Sequence, residues 1–261
     1  MLETKSIIDY LNHAKKWGIV PNFWLTEEYL TAPPSSELQT RTDGKRIWIE
    51  EEELLIFPPL PISEQDVKMT GFPPKKIWSD FENYSVGEVE EFLDWEYQYD
   101  SDEFSSMKGG KWESFRKNSR KWPFKSRDRG WEYTRKAPSK KEIMKLLITW
   151  LDSRPAEETI QDDDSMLWFL FHGKNRGFLY SKNELIGINV WDSNEPYLMY
   201  RYCMTKPEEP FLNEFMRVLF YRYHPGVIVI DGGCLDNPGL ERFKDKLNPI
   251  KKRAVYSRFT N

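Results

Sequence analysis

The chain has 261 residues, 39% hydrophobic and 31% charged, the balance of a globular protein with one large core or two smaller ones. Its net charge of -4 argues against a uniformly basic nucleic-acid coat, and three His with two Cys are a poor basis for a zinc centre or a disulfide framework. No run approaches ~20 apolar residues, and the polar, amphipathic N-terminus does not read as a signal peptide, so a cytoplasmic location without a membrane span is expected.

Ile7, Ile8, Leu11 and Ala14 lie at near-helical spacing and predict a helix over 5–18, stopped at Gly18. Residues 37–57 read as a β-hairpin turning at Asp43 and Gly44. Pro58, Pro59, Pro61, Pro73 and Pro74 mark 58–76 as a linker or wrapping loop. Ser85, with Glu88 three residues on, has the pattern of a capping box and predicts a short helix over 85–93. A strand follows at 96–100. Residues 107–122 are basic and amphipathic, with Trp112, Phe115 and Ser119 on one helical face. Residues 128–137 read as extended, and Ser139 caps a helix over 140–151. An acidic stretch covers 157–164. Residues 166–172 and 177–180 read as a hairpin turning at 173–176, and further strands follow at 184–190 and 197–204. A helix at 210–223, a buried strand at 227–231, a helix at 239–247 and a strand at 253–259 complete the chain. The pattern predicts an α+β fold, a mixed sheet with helices packed on it.

The candidate chemistry gathers at the end of the buried strand Val227-Ile-Val-Ile-Asp-Gly-Gly, because α/β proteins place their sites at carboxyl ends of strands. Asp231 could deprotonate an incoming amine or hold its ammonium; a strand-terminal Asp also caps turns. Asp236 could act with it, or serve as N-cap for the helix opening at Pro238. Gly232 and Gly233 allow close backbone approach to a ligand. Lys244 could hold a carboxylate, a phosphate or a developing oxyanion, or be a solvated lysine. Cys203 could serve as a nucleophile, although no His stands at a telling spacing, and an inert buried thiol fits as well. Tyr256, on the last strand, could reach the same place. The second feature is the run 108–135, where Lys108, Lys111, Arg116 and Arg120 interleave with Trp112, Trp122, Phe124 and Trp131. It suits a polyanion such as tRNA, DNA or a phosphorylated donor, and it could equally be a solvated helix face.

Two segments carry a family resemblance. Residues 94–118 contain Tyr97, Tyr99 and Asp100, then Lys108-Gly-Gly-Lys and the basic helix; residues 236–249 contain Asp236, Gly239, Lys244 and Pro249. Together they resemble the GNAT superfamily of acyltransferases, and most of all the GNAT-like domain of phosphatidylglycerol lysyltransferases and their Fem-type kin. The resemblance implies a GNAT-like, mostly antiparallel mixed sheet flanked by helices. It divides the chain into an N-terminal half, 1–135, which could be a degenerate first GNAT-like unit, and a C-terminal GNAT-like domain, 136–261. It implies transfer of an activated acyl or aminoacyl group to an amine or hydroxyl on a lipid, peptide, small molecule or modified nucleic-acid base, without a metal. Asp231, Asp236 and Lys244 would act at the reacting centre. Lys108, Lys111, Arg116, Arg120, Cys203, Thr205, Gly232, Gly233 and Tyr256 would bind donor or acceptor. The turn at 205–210, Thr-Lys-Pro-Glu-Glu-Pro, lacks glycine and carries two acids, which favours aminoacyl-tRNA over acyl-CoA as donor. A non-catalytic GNAT-like module that binds nucleic acid or a partner protein is the alternative.

Overall fold

The structure, a computed structural model, describes residues 3–16, 21, 24–32, 38–42, 47–51, 54–60, 76–78, 88–154, 163–232 and 237–259. In chain order the elements are β1 (Glu3–Lys5), α1 (Ile7–Lys16), α2 (Glu27–Thr31), β2 (Gln39–Thr42), β3 (Ile47–Glu51), β4 (Leu54–Leu60), β5 (Lys76–Trp78) and β6 (Glu88–Asp100). They continue with α3 (Ser101–Ser106), a 3-10 turn (Gly110–Trp112), α4 (Glu113–Lys125), β7 (Trp131–Thr134), α5 (Lys140–Asp152), α6 (Asp163–His172) and β8 (Asn175–Ser181). The last are β9 (Glu184–Asn194), β10 (Tyr197–Thr205), α7 (Leu212–Tyr223), β11 (Ile228–Asp231), α8 (Pro238–Asp245) and β12 (Lys251–Phe259).

Two compact units share the chain. One holds Met1–Tyr97, Gly232–Pro238 and Lys252–Asn261; the other holds Gln98–Asp231 and Gly239–Lys251. In the first unit β1, β2, β3 and β4 pair antiparallel in succession, β4 pairs parallel with β5, and β5 pairs antiparallel with β12. Helices α1 and α2 bury Tyr10, Ala14 and Leu30, while β3 buries Trp48 and Ile49. The Arg253 guanidinium is buried there and donates to Glu96 and to the Pro21 carbonyl.

In the second unit the strand order is β11-β10-β9-β8-β7. The pairs β7–β8, β8–β9 and β9–β10 are antiparallel, and β10–β11 is parallel. Helix α7 lies on this sheet. Its residues Leu212, Phe215, Met216 and Leu219 join Leu179, Ile186 and the Trp122 ring of α4 in one apolar cluster. Burying side chains of that size stabilises by roughly 1.5–3 kcal/mol each. Gly187 allows the close seat of α7, because a Cβ there would stand 2.9 Å from the Met216 sulfur.

Several expectations change. Residues 88–93 are strand, not helix: β6 runs on to Asp100, burying Tyr97 and Tyr99 on one set of alternate positions and Asp94, Glu96 and Gln98 on the other. Strand pairing over such a two-sided run outweighs the local capping pattern. Pro58 and Pro59 lie in β4 rather than opening the linker expected from residue 58, and the expected hairpin over 37–57 holds β2, β3 and part of β4. The turn at Asp43 and Gly44 lies outside the described residues. Residues 166–172 belong to helix α6, since an unbroken apolar run has no period to separate helix from strand. Gly173 ends α6 where a Cβ would stand 2.6 Å from the Phe169 carbonyl oxygen. The hairpin turn therefore falls at Lys182 and Asn183, with φ of 50° and 61°, instead of at 173–176. Consecutive left-handed residues match the twist of paired strands. Among the described residues no helix is long and apolar enough to cross a membrane, and no group of three His, Cys, Asp or Glu could hold a metal.

Candidate active site

The parallel pairing of β10 with β11 is short. Tyr197, Leu198 and Met199 face Ile228, Val229 and Ile230, and β11 then ends at Asp231 while β10 continues to Thr205. The two strands part beyond Met199, and β10 shifts register against β9 between Tyr200 and Tyr202. A strand end beside an unmatched strand exposes backbone and side chains together, which is where sheet proteins place chemistry.

Asp231 stands at this point with its carboxylate buried. Lys244 of α8 donates to its Oδ1 at 2.8 Å, and Arg217 of α7 donates to its Oδ2 at 2.7 Å. All three side chains are within 5% of full burial. Burial alone would raise the Asp231 carboxyl, but the Lys244 and Arg217 charges outweigh it and hold it below the usual carboxylate range. A carboxylate that is both paired and kept ionised makes a weak proton acceptor. Its chemistry is to fix two cations at the strand end. The Arg217 guanidinium also lies over the Tyr200 ring, 4.8 Å from its centroid, and over the Phe243 ring at 5.3 Å. Tyr99 of β6 donates its hydroxyl to the Lys244 carbonyl at 3.0 Å, tying α8 to the sheet.

A second polar set adjoins the first. The buried Asn189 amide of β9 accepts from the Tyr200 hydroxyl and donates to the Tyr133 hydroxyl at 3.3 Å and to the Met216 carbonyl at 3.0 Å. Burial pushes the Tyr133 hydroxyl up to about 12 and the Cys203 thiol up to about 11. Cys203 is therefore a neutral thiol at pH 7. Gly177 makes room for Tyr133, since a Cβ there would stand 1.9 Å from the phenolic oxygen. Gly177→Ala is accordingly expected to cost about 1–3 kcal/mol, read as a lowered urea midpoint, by driving Tyr133 off Asn189.

The remaining candidates are dispersed. Lys108 is exposed, Lys111 is exposed and paired with Glu103, and Arg120 is exposed. Arg116 turns inward and donates to the Met107 carbonyl at 2.6 Å, bracing the turn before α4. Thr205 and Gly232 are half-buried. Gly233, Asp236 and the Tyr256 side chain lie outside the described residues. Sequence reading passed over Arg217, Asn189, Tyr133 and Tyr221. Arg217 did leave a trace: it sits within the buried stretch 215–221 of α7, where an arginine must find a partner.

No protein-family model matches the sequence, and no curated protein does so. Solved structures do. A conserved protein of unknown function from Bacteroides thetaiotaomicron superposes with a TM-score of 0.76 at 11% identity, covering 100% of both chains. The L-PGS structure from Bacillus licheniformis gives 0.60 at 12% identity over 97% of this chain and 91% of its own. FemX gives 0.60 at 9% identity over 98% and 96%. The fold is GNAT-like. Within this GNAT-like sheet the parting strands are β10 and β11, and the helix that follows the longer of them is α7.

Several backbone amides near the start of α7 are missing or already used. Pro207 and Pro210 offer no N–H, the Lys206 amide is spent on the Ile186 carbonyl and the Glu209 amide on the Lys206 carbonyl. Phe211, with φ 68°, precedes the helix without a side-chain cap. The Glu209 carboxylate is fixed there by the Trp122 indole N–H at 3.0 Å. A carboxylate at a helix N-terminus takes up the favourable field that an incoming phosphate would use.

Proposed function

We propose that this chain is an acyltransferase that moves an activated aminoacyl group to an amine or hydroxyl acceptor. The observation that carries the reading is the buried Asp231–Arg217–Lys244 cluster at the point where β10 and β11 part. Cations fixed by a shared carboxylate form a preorganised field, and such a field stabilises charge developing on a carbonyl oxygen without reorganising. The names of the similar structures agree with this chemistry, since a lysylphosphatidylglycerol is itself a lysyl ester. The donor is an aminoacyl-tRNA rather than acyl-CoA, because the Glu209 carboxylate, with Glu208 beside it, opposes a diphosphate at the start of α7. The polyanion binds the outward face of α4, where Lys117, Arg120, Phe124 and Lys125 are exposed, Phe124 at 78%. Exposed cations hold phosphates and an exposed aromatic ring stacks bases.

The test is transfer from a panel of radiolabelled aminoacyl-tRNAs to ethanolamine, which offers both an amine and a hydroxyl. At least one donor is expected to turn over, while acetyl-CoA leaves the tryptophan fluorescence unchanged. Lys117→Ala with Arg120→Ala is expected to weaken tRNA binding about tenfold and to lower its salt slope by about 1.8, the change that follows when two phosphates are no longer neutralised. A second reading, a polyanion-binding module without catalysis, draws on the same α4 face. It prevails if tRNA binds in a salt-sensitive manner and no donor is consumed.

A further inference from the structure

We infer that the Tyr221 hydroxyl is a catalytic group that donates a hydrogen bond to the acyl oxygen of the bound donor. The inference rests on the transferase reading above and extends it to a residue with no assigned part. Tyr221 lies one turn after Arg217 on α7, on the same side of the helix. Its side chain is 0% exposed, and among the described residues its hydroxyl has no hydrogen-bond partner. Buried polar groups in folded proteins are almost always paired, so an orphaned hydroxyl calls for a reason. Mobility does not supply one. The ring stacks on Phe104 with centroids 3.8 Å apart and planes at 13°, and meets Tyr99 edge-on at 6.2 Å. That same Tyr99 holds the Lys244 carbonyl. The Arg217 and Asp231 charges both act on the Tyr221 hydroxyl, in keeping with its place on α7 one turn after Arg217. Burial keeps the phenol protonated, so it is a donor at any physiological pH.

A neutral donor beside a fixed cation pair suits one atom of an acyl transfer, the carbonyl oxygen. The acceptor's nitrogen or oxygen lone pair forms the new bond to the acyl carbon, and the carbonyl pair moves onto that oxygen. It returns as the donor's acyl–oxygen ester bond breaks, and the acceptor's proton ends on the departing ribose hydroxyl. Tyr221 gains or loses no proton overall. Its bond is made to substrate and strengthens as the oxygen becomes negative, which accounts for its lack of a partner in the protein.

The experiment compares wild type with Tyr221→Phe, in single-turnover transfer and in thermal melting without ligand. The expected result is a rate lower by about 100-fold or more, the usual loss for one oxyanion donor, with tRNA affinity unchanged and a melting temperature equal to or above wild type. An unpaired hydroxyl contributes nothing to the ligand-free protein, whereas a structurally bonded one would be missed. A wild-type rate in the variant overturns the inference, as does a clearly lower melting temperature. A wild-type chain that consumes no donor sinks the transferase reading itself. In that event a variant that melts no lower still supports a hydroxyl held for a ligand, and one that melts lower overturns it.

Discussion

Asp231→Ala is expected to destabilise the protein by about 3–5 kcal/mol, because it removes the carboxylate that two buried cations share. Arg217 cannot lose its charge to relieve the defect, since guanidinium stays protonated throughout the accessible pH range. Desolvated and without its principal counter-charge, it would draw water into the core or swing α7 away from β11. Urea unfolding at pH 7 measures the loss, and a change below about 1 kcal/mol would show the cluster to be solvated. The apolar triple variant Arg217→Met, Asp231→Leu, Lys244→Met is expected to recover most of it, since packed hydrophobic residues often equal or exceed a buried ionic cluster. That variant separates stability from function: it is expected to fold and to transfer nothing. The pH dependence follows with a definite sign. Asp231 is held below its unfolded value, which is about 3.9. Its contribution is therefore complete above that value and is lost as the pH falls through the depressed folded one. In Asp231→Ala this acid-limb loss should disappear, and the stability gap between wild type and variant should close on acidification.

How much of this was legible in the sequence depends on the kind of signal each element carries. The amphipathic helices α4, α5 and α7 show their apolar faces at helical spacing, and Ser139 with Glu142 forms the capping box on α5. Strands β8 to β11 are bounded by turns, and each was expected in its place, with ends off by up to about four residues. The failures share a cause. Residues 88–93 and 166–172 have no decisive period of their own, and their state is chosen by what they pack against: β6 is fixed by pairing in the sheet, and α6 by burying Phe169 and Leu170. The site divides in the same way. Asp231 and Lys244 were visible as charges around a buried strand, and the structure brings them to 2.8 Å. The third member, Arg217, comes from another helix, and no spacing rule joins 217 to 231. Tyr221 was harder still, because a tyrosine on an apolar face looks like core until its hydroxyl is found without a partner among the described residues. Sequence periodicity reports which face is buried, whereas the satisfaction of each polar atom on that face is a property of the assembled structure.

Trp122→Ala carries the second large effect, an expected loss of about 3–5 kcal/mol. The indole is 1% exposed and stacks on Phe215 with centroids 5.1 Å apart, so its removal opens a cavity in the cluster that seats α7 on the sheet. Its N–H also holds the Glu209 carboxylate at the start of α7. Trp122→Phe separates the two roles. It keeps an aromatic surface against Phe215 and gives up the charge-assisted hydrogen bond, for an expected cost of about 1.5–3 kcal/mol. Thermal and urea unfolding of the two variants should therefore rank wild type above Trp122→Phe above Trp122→Ala. Equal stabilities for the two variants would mean that the hydrogen bond, not the packing, seats the helix. The consequence for binding runs in a direction that packing alone would not give. A Glu209 side chain released from the indole no longer stands fixed at the helix start, and the start of α7 becomes less hostile to phosphate. Tryptophan fluorescence titrated with acetyl-CoA should stay flat in wild type and begin to respond in Trp122→Phe with Glu209→Gln. A flat titration in that variant as well would show that the Glu209 carboxylate does not govern acetyl-CoA binding at this helix start.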